Sequence, residues 1–99
     1  MTIQTKSENG SVTLELEGRL DTNTSPQLED ELAAVLDPTV ELLVIDFTNL
    51  DYISSAGLRV LLSAQKKMNR QGEMIIRNVN DVIMEVFEVT GFTDILQIE

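Results

Sequence analysis

Ser54 and Ser55, followed by Ala56 and Gly57, set two hydroxyls between a polar stretch and an apolar-periodic run that begins at Leu58. Such a hydroxyl can attack as a nucleophile, accept a phosphoryl group from another enzyme, or cap the helix behind it. A nucleophile needs an activating base, and the chain has no histidine; no lysine falls near the serines in the topology read below. The G-x-S-x-G elbow and the G-x-x-x-x-G-K-[ST] phosphate loop are both missing. Hydrolase and nucleotide-triphosphate chemistry are therefore excluded as readings, and no catalytic residue is assigned. Capping is the commonest use of a serine at such a place.

The acceptor reading has its own physics. A hydroxyl at a helix start lies beside unpaired backbone N–H groups and the positive end of the dipole, so a phosphate is held there without unfolding anything. About two added negative charges would then block close docking of a partner with no internal conformational change. Gly57, one turn in, is expected to leave the backbone open to approach by that partner. Asp21, Asp46 and Asp51 offer oxygen ligands, but they are scattered and lack EF-hand spacing; Asp21 and Asp51 read as loop and turn residues, and no metal is expected.

The elements that position these residues follow from the pattern. Residues 2–8 and 11–17 flank Asn9-Gly10, with Val12, Leu14 and Leu16 alternating against polar neighbours, which predicts a hairpin. Ser25-Pro26 predicts a capped helix with Leu28, Leu32, Val35 and Leu36 on one stripe, Glu29 to Glu31 in its first turn, and Asp37-Pro38 as its end. Val40 to Phe47 is nearly continuously apolar and predicts a central strand covered on both faces by helices. Thr48 to Ile53 reads as a loop. A second helix carries Leu58, Leu61, Leu62 and Met68 and ends with Gly72 at C′. Glu73 to Asn78 is a short strand, Asn80 or Asp81 caps a third helix with Ile83, Val86 and Phe87 inward and Gly91 closing it, and Ile95 to Ile98 is a last strand.

The string is β-β-α-β-α-β-α-β. Strand-helix-strand units demand parallel pairing while the hairpin is antiparallel, so the fold class is α/β with a mixed sheet of four to five strands packed with helices. The loops after residues 17, 47 and 78 then leave one edge, where Asp21, Asp46, Ser54, Ser55 and Asn80 are expected to gather. The 99 residues, 42% hydrophobic and 24% charged, fit one domain spanning 1–99. The absence of cysteine excludes disulfides and thiolate metal sites. No segment reads as a membrane span or a leader, so a cytoplasmic location is expected. A net charge of −10, from 17 acidic and 7 basic residues, disfavours nucleic acid and anionic membranes as partners.

VIDFTNLDYISSAGLRVLL, with EGRLDTNTSPQLEDEL upstream and VFEVTGF downstream, resembles the STAS-domain anti-sigma factor antagonists of bacteria over essentially the whole chain. The shared motif is D-[aliphatic or F]-[ST]-x-[apolar]-x-[aromatic or apolar]-[apolar]-D-S-[ST]-G-[LV]. Two positions depart from it: Ser54 replaces the family's aspartate before the acceptor, and Ala56 its second serine or threonine.

The resemblance implies a STAS-type fold and a non-enzymatic switch. In that family the unphosphorylated protein binds an anti-sigma factor that is itself a serine kinase, and so releases a sigma factor; a PPM-type serine phosphatase reverses the phosphorylation. Aligned on Gly57, the acceptor is Ser55, with Ser54 as the alternative. The implied contact surface takes in Asp21, Thr22, Asn23, Thr24, Ser54, Ser55, Ala56, Gly57 and Arg59, with Asp46 as structural support. Arg59, one turn beyond Ser55, is placed to pair with a phosphate there. No cofactor is implied. The competing reading is a STAS interaction module of a scaffold or transport system, in which Ser55 is only a cap.

Overall fold

A computed structural model describes residues 1–99. The hairpin forms as its turn chemistry demands: β1 (Thr2–Glu8) runs antiparallel to β2 (Ser11–Leu20), and Asn9 and Gly10 take positive φ angles of 45° and 84° between them. There follow α1 (Ser25–Val35), β3 (Leu42–Ile53), α2 (Ser55–Met68), β4 (Glu73–Arg77), α3 (Asp81–Thr90), a 3-10 turn (Phe92–Asp94) and β5 (Gln97–Ile98). The five strands lie in the order β1-β2-β3-β4-β5, all neighbours after the hairpin being parallel. This is the expected mixed α/β sheet.

β3 corrects one expectation. Thr48 to Ile53 is strand, not loop, and pairs with the end of β2 through Asn49 on Glu17, Leu50 on Gly18, Tyr52 on Arg19 and Ile53 on Leu20. Between Glu15 and Glu17, and again between Gly18 and Arg19, β3 advances one residue more than β2. Each bulge lengthens the inward repeat from two residues to three, so Phe47, Leu50 and Ile53 all face the core. Alternation fails in the sequence here because the backbone absorbs the extra residues.

The helices also differ from expectation. One contiguous core joins Leu28 and Leu32 of α1, Leu58, Leu61 and Met68 of α2 and Ile83 and Phe87 of α3 to Leu14, Leu43, Ile45, Phe47 and Ile76 of the sheet. Period two puts Val44 and Ile75 on the opposite face, outside that core, where their neighbours include Asp46 and Arg77. The central strand is thus covered by helices on one face only. Val44 and Ile75 are hidden within the sheet's own polar surface, which is why the run reads as doubly covered.

Three helix-end expectations are also revised. Ser25 lies inside α1, buried, its hydroxyl donating to the Asp21 carbonyl at 2.5 Å; Thr24 occupies the cap position. Glu29 to Glu31 consequently sit beyond the first turn. Gly72 is not a left-handed C′ residue: a Cβ there would come 1.9 Å from the Glu41 carbonyl oxygen, so it is glycine because β4 enters the sheet against β3's backbone. Asn80 caps α3 by accepting from the Ile83 N–H at 2.8 Å, and Gly91 ends it at φ 80°.

Candidate functional site

The ends of β2 and β3 lie side by side, and the Ser54 N–H donates to the Leu20 carbonyl at 2.9 Å as the chain leaves the sheet. Ser54 is extended, at φ −104° and ψ 175°, and its carbonyl accepts from the Leu58 N–H at 3.0 Å while its Oγ accepts from the Gly57 N–H at 3.5 Å. Ser54 is therefore the N-cap. Ser55 is the first helical residue and is exposed, with its side chain outside the cap interaction. N–H groups in a helix's first turn have no intrahelical partner, so Ser55 carries its hydroxyl at the positive end of a 14-residue helix.

Asp21 stands at the neighbouring turn. Its Oδ1 accepts from the N–H groups of Asn23 and Thr24 at 3.0 and 3.1 Å, with the Thr24 hydroxyl oxygen nearby. Thr24 Oγ1 in turn accepts from the Asp21 N–H at 2.9 Å and donates to the Arg19 carbonyl at 2.7 Å. Partial desolvation pushes the Asp21 carboxyl up, but these donors, with the Arg19 guanidinium 3.6 Å away, outweigh it and hold it below the usual carboxylate range. The turn is fixed by its own side chains, so Thr22 and Asn23 are presented on a rigid loop beside Ser54.

An open groove between α1 and α2 continues from this turn, lined by Thr22, Pro26, Glu29, Ala56 and Arg59. Arg59 is exposed and has no carboxylate within ion-pairing distance. Asp21, Thr22, Ser54, Ala56 and Arg59 are thus brought together with Ser55 at the start of α2. Asn80 instead ties the start of α3 to β3, donating through Nδ2 to the Leu50 carbonyl at 3.0 Å, four residues short of Ser54 and apart from the serine turn.

Two expected members take different places. Gly57 is buried, and a Cβ on it would lie 2.7 Å from Leu20 Cγ and 2.9 Å from Ile53 Cγ1; the close approach it permits is of α2 to the sheet, not of a partner to the backbone. Asp46 lies seven residues before Ile53, roughly 20 Å along the strand, where its Oδ1 accepts from the Thr48 N–H at 2.8 Å and the Thr48 hydroxyl at 2.5 Å, and Asn78 Nδ2 reaches it at 3.3 Å. It steadies the far part of β3 and does not join the serine turn.

Arg19 and Tyr52 are at the site without having been singled out. They are register partners, and the guanidinium lies 4.1 Å from the centre of the Tyr52 ring while also facing Asp21. Only the strand character of Thr48 to Ile53 reveals that pair. Chemically, the arrangement offers an accessible hydroxyl at an anion-favouring helix start, framed by a rigid loop and one unpaired guanidinium.

The STAS domain model matches residues 2–99. The candidate anti-sigma factor antagonist BtrV of Bordetella bronchiseptica is 42% identical over 84 residues, covering 84% of this chain and 72% of BtrV. The anti-sigma-B factor antagonist of Listeria monocytogenes is 32% identical over 83 residues, covering 83% of this chain and 73% of the relative. Among solved structures, the Bacillus cell fate determinant SpoIIAA in its phosphorylated form superposes with a TM-score of 0.77 at 20% identity, over 99% of this chain and 91% of that one. The matched sequence and the five-stranded sheet agree: this chain belongs to the STAS domain family, among the anti-sigma factor antagonists.

Proposed function

We propose that the chain is a reversible protein-docking switch: unphosphorylated, it binds an anti-sigma factor and so frees a sigma factor; phosphorylated on Ser55, it lets go. The bound anti-sigma factor is itself the serine kinase, transferring the γ-phosphoryl group of ATP to Ser55 Oγ with loss of ADP, and a PPM-type phosphatase hydrolyses the ester. The chain works by binding and performs no catalysis of its own, in the cytoplasm where sigma factors meet RNA polymerase. The relatives' names as antagonists of anti-sigma factors support the partner class.

One observation carries the switch. Ser54 takes the cap, leaving the Ser55 hydroxyl exposed at the helix start. A phosphate added there meets unpaired N–H groups and disrupts no packing, while a dianion now stands in the middle of the docking face. The half-buried Ser54 hydroxyl is less suited as acceptor, because modifying it removes the cap. Arg59 is the residue to receive the phosphate charge.

The test is incubation with ATP and the cognate anti-sigma kinase, with phosphate located by mass spectrometry on wild type, Ser54→Ala and Ser55→Ala. Label on wild type and Ser54→Ala but not on Ser55→Ala supports the proposal, together with weakened binding of the labelled protein. An unlabelled wild type that still binds its partner would sink it in favour of a module without a switch.

A further inference from the structure

Helix α3 carries three parallel rows, each spaced i, i+4, i+7. Ile83 and Phe87, both fully buried, form the inward row, which runs out at the exposed Thr90. Val82, Val86 and Val89 form the next: Val86, half-buried, packs against the edge of the core as expected, while Val82 and Val89 are 63% and 77% exposed, two of the four large hydrophobic side chains left in solvent anywhere on the chain. Asp81, Glu85 and Glu88, all exposed, form the row beyond. Val82 and Val89, with the half-buried Val86 between them, are apolar surface left over on a helix that already buries its core face elsewhere.

Charge decides what covers it. From Asp81 to Glu99 the chain has five acidic residues and no lysine or arginine. A second copy, also at net charge −10 and bearing the same acidic row, is repelled. We infer that the Val82-Val86-Val89 stripe and its acidic border dock a basic amphipathic helix of another protein, apolar row on the valines and lysines or arginines on Asp81, Glu85 and Glu88. No residue of the serine turn belongs to this surface, and the inference is independent of the Ser55 switch. A chain with two such surfaces holds a second protein whichever state Ser55 is in.

The probe is a synthetic helical peptide with leucine at i, i+4, i+7 spacing and lysine elsewhere, titrated into the isotopically labelled full chain and followed by amide chemical shifts. Two control peptides replace the lysines by glutamate, or the leucines by serine. The expected result is saturable shifts centred on Val82, Glu85, Val86 and Val89, absent with both controls, and weakened about tenfold by Val82→Ser with Val89→Ser. Glu85→Lys with Glu88→Lys gives the same loss without touching the valines, so the outcome does not hang on one variant's folding. No saturable shift on α3 at about 1 mM leucine-lysine peptide overturns the inference. So do equal binding of the glutamate peptide, shifts centred elsewhere, or a dimer of the free chain in sedimentation that the valine substitutions abolish.

Discussion

Leu20 and Gly57 lie so close that a single methyl added to the glycine would sit 2.7 Å from Leu20 Cγ. Leu20 is fully buried, and Ile53 closes the other side at 2.9 Å, so neither neighbour has room to yield. Gly57→Ala is therefore expected to overpack the base of α2 and cost about 1–3 kcal/mol in urea unfolding. Leu20→Ala alone should cost about 2–5 kcal/mol by leaving a cavity. The double variant should be more stable than the two losses added, by more than about 0.5 kcal/mol, because the new methyl fills the space the leucine leaves. Strict additivity in the cycle would show that Gly57 is not held by this contact.

The two serines separate structure from switching. Ser54→Ala removes the cap; at 3.5 Å the bond is long, so the loss should fall near the low end of the usual range, about 0.5–1 kcal/mol. Ser55→Ala removes an exposed hydroxyl and should move stability by less than about 0.5 kcal/mol. Denaturant melts of both variants against wild type check this, and a larger loss from Ser55→Ala than from Ser54→Ala would reverse their assigned roles.

Where local pattern and tertiary structure agree, the sequence was transparent. Asn9-Gly10 could only serve a tight hairpin, Asn80 and Gly91 bracket α3, and the serine turn falls at the strand-to-helix junction. What could not be read were features decided across the sheet. The bulges that turn Phe47, Leu50 and Ile53 inward depend on β2's register, so Thr48 to Ile53 looked like a loop and the Arg19–Tyr52 pair stayed hidden. Gly57 and Gly72 announce close approach without saying to what; for both, the answer is the chain itself. Asp46 matched a motif position, yet its contacts are with Thr48 and Asn78, remote from the serines.

Arg59 has no carboxylate partner in the fold, so its charge is available to a phosphate one helical turn away. Arg59→Ala should leave the unphosphorylated protein within about 0.5 kcal/mol of wild type. On the Ser55 phosphoprotein the same substitution should cost about 0.5–1 kcal/mol more, the scale of an exposed charge-assisted pair. The cycle is measured by thermal melts of the four proteins at low salt. Equal cost in both states would leave Arg59 as a partner contact with no role in holding the phosphate.

Asp46 makes stability sensitive to acid. Desolvation raises its carboxyl, but the Thr48 hydroxyl and N–H, Asn78 and the nearby Arg77 charge together bring it below its ordinary 3.8. Because the folded value is the lower one, this carboxylate contributes stability fully above pH 3.8, and the contribution disappears as pH falls through the folded value. Asp46→Asn should thus be less stable than wild type at pH 7, by about 1 kcal/mol given the carboxylate's partial exposure. The gap should narrow only below about pH 4 and close in stronger acid. Asp21 and Asp37, whose carboxyls are also lowered, titrate in both proteins and cancel in the difference. Urea unfolding of the pair at pH 7, 4 and 2.5, about the span over which such a carboxylate titrates, reads the result directly. A gap that stays constant across that range would mean the introduced asparagine fails by shape, and that the charge on Asp46 does nothing to hold β3 against β4.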